Sequence, residues 1–217
     1  MSGFDTAVIV HALPFLWDGM QISLLVTAVG LLGGILLGLV LAVMRLSPLR
    51  VLAWPAALYV NTLRSIPLIL VLFWLYFLVP VIVGRPVGAL PSALVAFVLF
   101  EAAYYSEIIR AGISSVSRNQ ILAAKATGLT TVQALRFVVL PQALRNMAPI
   151  LLTQAIVLFQ DTSLVYVITL RDFMTAASVV AGRDGRPLEM YSFAAVVYFA
   201  ICFAGSLTVR RLQARAA

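Results

Sequence analysis

Five long apolar stretches dominate the pattern of hydrophobic and polar positions along the chain. An α-helix needs about 20 predominantly apolar residues to cross the hydrocarbon core of a bilayer. The pattern therefore predicts five transmembrane helices, over residues 21–44, 66–83, 92–112, 147–169 and 190–209. Residues 51–63 are apolar too, but they are too few to span and contain Pro55, so they predict an interfacial helix leading into the second span.

Residues 113–146 are too polar to span, yet they are regularly patterned. Ser117 is followed by Gln120, and Thr130 by Gln133, and both pairs have the spacing of a helix-initiating capping box. The pattern therefore predicts two helix starts within this segment.

Gly128 stands between these two starts, where a helix commonly ends in a left-handed glycine. The segment thus predicts two short helices, over residues 118–127 and 131–140, hinged at Gly128. Pro141 is expected to stop or kink the second helix, because proline lacks the N–H that a helix interior requires.

The composition agrees with an all-α polytopic membrane protein. Of 217 residues, 63% are hydrophobic and only 11% are charged, whereas soluble domains are about one quarter charged. This balance excludes a secreted domain and a disordered tail. The single cysteine, Cys202, permits no internal disulfide, and with the single histidine, His11, it cannot build an ordinary zinc site, so no metal site is predicted. We treat residues 1–217 as one transmembrane domain.

The net charge of +7 is a topology signal and does not indicate nucleic-acid binding. If the N-terminus is outside, eleven of the 15 Lys and Arg residues fall in inner segments, as the positive-inside rule requires. These eleven are Arg45, Arg50, Arg64, Arg110, Arg118, Lys125, Arg136, Arg145, Arg210, Arg211 and Arg215, and the outer four are Arg85, Arg171, Arg183 and Arg186. The distribution predicts an external N-terminus and a cytoplasmic C-terminus.

Carboxylic acids at membrane depth are the candidate chemistry. Glu101 lies near the middle of the third span and Asp161 near the middle of the fourth, and each costs about 2.5–3.5 kcal/mol to insert. A carboxylate could pair with the ammonium group of a zwitterionic solute, while hydroxyls and backbone N–H groups receive its carboxylate. The candidate translocation residues are Glu101, Tyr104, Gln154, Gln160, Asp161, Thr162 and Ser163.

Both acids also have structural interpretations. Asp161 could cap a helix that restarts after a break, and Glu101 could bond a neighbouring span as a buried acid. Glu107 and Arg110 are three residues apart and are expected to form a local ion pair. Two carboxylates in the middle of the membrane favour a cationic substrate or a proton, so an acidic solute would need an arginine from a partner subunit or a protonated Glu101.

The patterned segment resembles a signature of the membrane subunits of bacterial ABC importers. That signature runs Glu-Ala-Ala, three residues, Gly, nine residues, Ile, one residue, Leu-Pro. This chain has Leu122-Ala123-Ala124, Gly128, Val138 and Leu140-Pro141 at the same spacing. Leu122 replaces the glutamate, which removes any salt bridge that the glutamate would make.

Three more stretches resemble the polar amino acid permeases of this class. They are residues 64–68 (Arg-Ser-Ile-Pro-Leu), 105–112 (Tyr-Ser-Glu-Ile-Ile-Arg-Ala-Gly) and 159–165 (Phe-Gln-Asp-Thr-Ser-Leu-Val). Together with the signature, the resemblance covers most of residues 20–209, and it is greatest to the glutamate/aspartate permeases. The residue types alone do not choose glutamate.

The resemblance implies the type I ABC importer fold in a bacterial inner (cytoplasmic) membrane. Two such subunits, identical or related, would pair and work with two cytoplasmic ATPase subunits and an external solute-binding protein. The helix at 118–127 would couple to the ATPase. The coupling residues expected from the resemblance are Arg118, Leu122, Ala123, Ala124, Lys125, Gly128, Leu140 and Pro141.

The chain has no Gly-x-x-x-x-Gly-Lys-Ser/Thr phosphate loop. We therefore expect it to bind no cofactor and to have no catalytic residues of its own, with ATP and Mg²⁺ bound by the partner ATPase. The expected function is ATP-driven import of a polar amino acid, with glutamate/aspartate indicated by the resemblance.

Two alternatives remain open at this stage. The solute could be another polar amino acid, basic or opine-like. The chain could also be a proton-coupled carrier, although five spans leave no inverted repeat within it. An intramembrane protease is disfavoured, because His11, the only histidine, precedes the first span.

Overall fold

The computed structural model describes residues 4–216, with the side chains of residues 4–213, and every regular element in that range is helical. Arg215, one of the predicted inner arginines, lies outside the described side chains. In chain order the helices are α1 (Thr6–Leu46), α2 (Arg50–Arg64), α3 (Leu68–Val83), α4 (Ala89–Ser114), α5 (Arg118–Ala126), α6 (Thr131–Ile168), α7 (Phe173–Asp184) and α8 (Pro187–Ala216).

Among the described residues, four of the five predicted spans correspond to single long apolar helices, and the fifth corresponds to part of a bent helix pair. Helices α1, α4, α6 and α8 are each long and apolar enough to cross a bilayer. Helices α2 and α3 are long and apolar enough only as a pair, bent by 105° at the break before Pro67, and the predicted second span corresponds to α3 within this pair. The predicted interfacial helix is α2, which packs its Ala56 and Val60 against Leu41 of α1 and Ala102 of α4.

Helix α1 begins far earlier than its apolar stretch predicts. The side chain of Asp5 accepts a hydrogen bond from the backbone N–H of Ala7 at 2.9 Å and so caps the helix start. Ala12, Leu16 and Met20 are then buried in a core shared with α7 and α8. Tertiary packing thus extends the helix outward beyond the most hydrophobic residues.

The prediction of a second short helix that ends at residue 140 is wrong. Helix α6 runs on from Thr131 to Ile168, so the polar segment and the fourth span are one element. Residues Leu135–Val139 form a π-helical turn, and Pro141 falls in the first turn of the α-helical stretch that follows. The wider turn accommodates the missing N–H of the proline without ending the helix.

A row of glycines lets α1 lie directly against α4. Gly30, Gly34 and Gly38 are all buried. A Cβ atom at Gly38 would stand 2.9 Å from the Cβ of Tyr105 and 3.0 Å from the carbonyl oxygen of Ala102. Only a missing side chain permits this approach, which is the usual role of small residues between membrane helices.

Helix α7 was not predicted, because residues 170–189 are too polar and short to register as a span. Asp172 starts it by accepting hydrogen bonds from the backbone N–H groups of Met174 and Thr175. Gly185 ends it with a φ of +65°, in the left-handed region. The helix packs into the same core as the outer part of α1.

Candidate functional site

Glu101 is fully buried and bonded to a neighbouring span. The side-chain N–H group of Gln154 on α6 donates to its two carboxylate oxygens at 3.3 and 3.1 Å. Its Cβ lies against Gly34 of α1, where an added Cβ would stand only 2.8 Å away. The predicted bond from Glu101 to a neighbouring span is therefore present, and the residue sits where three spans meet.

The residues around Asp161 form the end of α6. From Thr162 to Ile168 the helix tightens to 3₁₀ geometry. The hydroxyl of Thr162 donates to the carbonyl of Phe159 at 2.7 Å, and that of Ser163 to the carbonyl of Gln160 at 2.8 Å. Asp161 makes no side-chain capping bond, so its interpretation as a helix cap is wrong. Asp161 is half-buried.

Tyr104 is in contact with a cation. The Arg64 guanidinium lies 5.5 Å from the centre of the Tyr104 ring, within the range of a cation–π interaction. Tyr104 thus joins the bend between α2 and α3 to the face of α4.

A large open cavity lies between the end of α6, helix α7 and the start of α8. Its volume is about 1080 Å³, which would hold a single amino acid with room to spare. Of the predicted translocation residues, Gln160 and Ser163 line it, and Glu101, Tyr104, Gln154, Asp161 and Thr162 are not among its lining residues. Polar residues that the sequence analysis did not select also line it, namely Thr169, Arg171, Thr175, Ser178, Arg183, Tyr166, Tyr191 and Tyr198.

Arg171 supplies a positive charge to this cavity. Its guanidinium lies 5.9 Å from the centre of the Phe15 ring, and no salt bridge of Arg171 occurs among the described side chains. Arg183, the other arginine in the lining, is held by Asp184 at 2.7 Å. The sequence analysis assigned both arginines to outer segments and gave them no role. Because the positive-inside rule makes outer arginines uncommon, their presence was an indication of a function.

The carboxylate next to Arg171 in the sequence is turned away from it. Asp172 is buried and directs its oxygens to Met174, Thr175 and the Thr175 hydroxyl. Burial raises the pKa of the Asp172 carboxyl, and the hydrogen bonds from Thr175 and Met174 oppose that shift. Asp172 therefore fixes the start of α7 and forms no ion pair with Arg171.

The candidate coupling region has the predicted order of helix, glycine and helix. Ser117 caps α5 by accepting from the N–H of Asn119. Gly128 has a φ of +89°, so its left-handed conformation is confirmed. Thr130 and Gln133 form the predicted capping box at the start of α6. Two helices therefore meet at a joint that only glycine adopts without strain.

One side of α5 is free to contact a partner. Arg118, Leu122, Ala123 and Lys125 are exposed there, and Leu122 is 53% exposed. Ala124 is instead buried against the rest of this chain, so it fixes α5 in place and presents no surface. Leu140 and Pro141, farther along α6, are also exposed.

Glu107 anchors an arginine cluster at the opposite end of α4 from the cavity. Its carboxylate accepts hydrogen bonds from Arg45 at 2.6 Å and from Arg110, which confirms the predicted local pair. Arg64 lies 3.8 Å away. Across the described residues, no group of three His, Cys, Asp or Glu side chains could hold a metal ion.

Comparison with known proteins gives consistent relatives over nearly the whole chain. The family described as binding-protein-dependent transport system inner membrane component matches residues 34–217. The glutamate/aspartate import permease protein GltK of Escherichia coli O157:H7 is 52% identical over the full length of both chains. The probable glutamine ABC transporter permease protein GlnP of Bacillus subtilis (strain 168) is 38% identical over 94% of each chain.

Among solved structures, the crystal structure of an amino acid ABC transporter with histidines contains a chain with the same fold. The TM-score is 0.92 at 29% sequence identity, covering 99% of this chain and 100% of that one.

Proposed function

Because the chain belongs to the family of binding-protein-dependent transport system inner membrane components, we propose that it is the permease subunit of an ATP-driven importer of glutamate and aspartate. The observation that carries the proposal is the 52% identity to a glutamate/aspartate import permease over the full length of both chains. The helical membrane fold agrees with it, since it matches an amino acid ABC transporter.

The cavity supports an acidic solute. A dicarboxylic amino acid carries a net charge of about −1 at neutral pH, since both its carboxyl groups titrate near pH 4 or below. The guanidinium group of Arg171 can donate two parallel hydrogen bonds to a carboxylate. The adjacent acid, Asp172, already accepts hydrogen bonds from the backbone of α7. Hydroxyl groups of Ser163, Thr175 and Ser178 line the same space. This supplies, within one chain, the positive group that the sequence analysis expected from a partner.

The proposed assembly places this chain in a bacterial inner membrane as one of two paired permeases. Two ATPase subunits would bind the exposed side of α5, and a solute-binding protein would deliver the amino acid from outside. ATP binds more tightly to the closed ATPase dimer, and that difference in affinity would shift the permeases from inward to outward access. The partner ATPase would hold ATP and Mg²⁺.

Reconstitution tests the energy source. Proteoliposomes containing this chain, its ATPase partner and the binding protein should accumulate glutamate only when ATP is enclosed with the ATPase. This chain alone should give no uptake. Accumulation driven by a proton gradient without ATP would contradict the importer proposal and favour a secondary carrier.

Arg171→Gln tests the substrate assignment. We expect a rise of about 10-fold or more in KM for glutamate and aspartate, because a charge-assisted hydrogen bond contributes ~1.5–3 kcal/mol. Arg85→Gln is the matched control, since Arg85 is an exposed outer arginine that does not line the cavity. An unchanged KM in Arg171→Gln, or glutamine uptake exceeding glutamate uptake in the parent, would contradict an acidic substrate.

A further inference from the structure

A second cavity opens on the arginine cluster at the other end of the spans. Its volume is about 740 Å³, and it lies between the end of α1, the first turns of α2 and the last turns of α4. Its lining consists of Arg45, Arg50, Ala53, Trp54, Ala57 and Arg110. Three arginines and an indole therefore surround one space that the transport function does not use.

The positive charge of this cavity is not balanced by the chain itself. Glu107 is shared by Arg45, Arg64 and Arg110, and Arg50 makes no ion pair among the described side chains. The chain has eight acidic residues in all. Glu101, on the same helix as Glu107, is already bonded to Gln154. The other six lie within residues 5–18 or beyond α5, and they are Asp5, Asp18, Asp161, Asp172, Asp184 and Glu189.

The surface beside the cavity is apolar and exposed. On α2 and just before it, Leu49, Val51 and Trp54 are 61%, 84% and 68% exposed. The opposite side of α2 is fixed to α1 and α4 through Ala56 and Val60. A helix held across the spans, with an exposed tryptophan and aliphatic side chains next to arginines, is the pattern of an element at the membrane–water interface.

We propose that this cavity binds the phosphate headgroup of an anionic phospholipid in the inner leaflet. The proposal rests on the predicted orientation, which puts this basic end at the cytoplasmic surface, and it is independent of the transported solute. The guanidinium groups of Arg45, Arg50 and Arg110 suit phosphate oxygens, and basic pockets between membrane helices on this side are known lipid headgroup sites. Acyl chains would cover Val51 and Trp54, which an aqueous acidic partner would leave exposed.

The three tryptophans of the chain allow a site-specific test. In a Trp17→Phe/Trp74→Phe background, Trp54 is the only indole. The purified full-length chain is placed in phosphatidylcholine nanodiscs containing a minor fraction of brominated phosphatidylglycerol or, in parallel, brominated phosphatidylcholine. We expect stronger quenching of Trp54 by the brominated phosphatidylglycerol, and no reversal of it by millimolar inorganic phosphate.

Arg50→Gln should lower the local enrichment of phosphatidylglycerol about fivefold, the equivalent of ~1 kcal/mol for one arginine near the surface. Arg50 is chosen because it makes no ion pair in the described structure, so its removal breaks no buried contact. Arg210→Gln is the matched control, because Arg210 is an exposed arginine on α8 outside this cavity. The enrichment of phosphatidylglycerol around Trp54 in this variant should equal that in the parent.

Three results would overturn the proposal. Equal quenching by the two brominated lipids in the parent would show that the cavity does not select anionic headgroups. Competition by inorganic phosphate would identify a soluble anion as the occupant. Loss of the enrichment when the ATPase partner is bound would show that the patch is a protein contact instead.

Discussion

At the residue scale, Glu101, Glu107 and Asp172 differ in what surrounds their carboxylates. Glu101 faces an amide donor from another span, Glu107 faces three arginines, and Asp172 faces the N–H groups that begin a helix. The first two carboxylates therefore tie together elements that are distant in sequence, and the third fixes the start of α7. Arg171 makes no salt bridge among the described side chains, because the adjacent acid, Asp172, is hydrogen-bonded to the first turn of α7.

Glu107→Gln should destabilise the fold more than a comparable change at the surface. The side chain of Arg45 is only 11% exposed, so removing its counter-charge leaves a largely buried guanidinium without a carboxylate. We expect a loss of about 1–3 kcal/mol and a lower Tm in thermal unfolding in detergent. Asp184→Asn, which breaks an exposed pair with Arg183, should leave Tm nearly unchanged, and an equal fall in both variants would contradict this account.

Asp172 should make stability depend on pH in a defined direction. Because burial raises the pKa of its carboxyl in the folded chain above the unfolded value, the folded state takes up the proton first as the pH falls from neutral. The parent should therefore gain stability relative to Asp172→Asn between about pH 7 and pH 4, the latter being near the unfolded pKa. The difference in Tm between the two proteins at several pH values measures this, and a difference that moves the other way would disprove it.

At the element scale, two kinds of glycine have different roles. Those of α1 are required for close packing, and Gly128 is required for its backbone conformation. A Cβ atom added at Gly128 would have no other atom within 4 Å, so a substitution there strains only the backbone. The two kinds can be separated by experiment.

Gly128→Val should uncouple ATP hydrolysis from transport. A branched residue in the left-handed region costs about 1–2 kcal/mol and would shift α5 relative to α6. Gly84→Val is the matched control, because Gly84 also has a positive φ, of +74°, with open space around it, but lies outside the coupling region. ATPase activity per glutamate transported should rise in Gly128→Val alone, and a normal ratio in a stably inserted variant would argue against the joint.

Gly38→Ala should weaken the pairing of α1 with α4. The added methyl group would meet the Cβ of Tyr105 and the backbone of Ala102 and Ser106 at 2.9–3.0 Å, and overpacking of this kind costs about 1–3 kcal/mol. Gly182→Ala, in a helix where nothing lies within 4 Å of the new methyl, should not lower Tm. If both variants unfold at the parent temperature, α1 and α4 are less tightly packed than described.

The sequence predicted elements well where hydropathy or capping chemistry is strong. Four of the spans, the left-handed conformation of Gly128 and the capping box at Thr130 follow from local rules, and all are present. Helix α7 and the first turns of α1 were missed because tertiary packing stabilises them, and their composition alone does not mark them as spans. The helix end predicted at Pro141 was wrong because the π-helical turn that accommodates this proline has no simple sequence signature.

For the candidate site, the sequence identified polar residue types but not their grouping. Gln160 and Ser163 reach the cavity, while Glu101 and Gln154 satisfy each other. Which side of a helix faces a cavity depends on how several helices pack, and hydropathy does not record it. Arg171 was missed for that reason.

At the scale of the whole molecule, the predicted five crossings would put the two termini on opposite sides of the membrane. The only cysteine, Cys202, is buried, so the parent should react little with a maleimide that cannot cross the bilayer. Gly88→Cys, in the exposed loop between α3 and α4, should be labelled in intact cells. Ala126→Cys, at the exposed end of α5, should be labelled only after permeabilisation, and the reverse pattern would invert the orientation.

The unbroken course of α6 has a mechanical consequence. One helix of 38 residues starts three residues after Gly128 and ends at the wall of the larger cavity. At 1.5 Å per residue it is about 57 Å long. In the proposed importer, a helix of that length moving as one body would convert a tilt of about 5° at the end near Gly128 into a displacement of about 5 Å at the end near the cavity. A small rotation at the coupling end would then be enough to change the shape of the cavity.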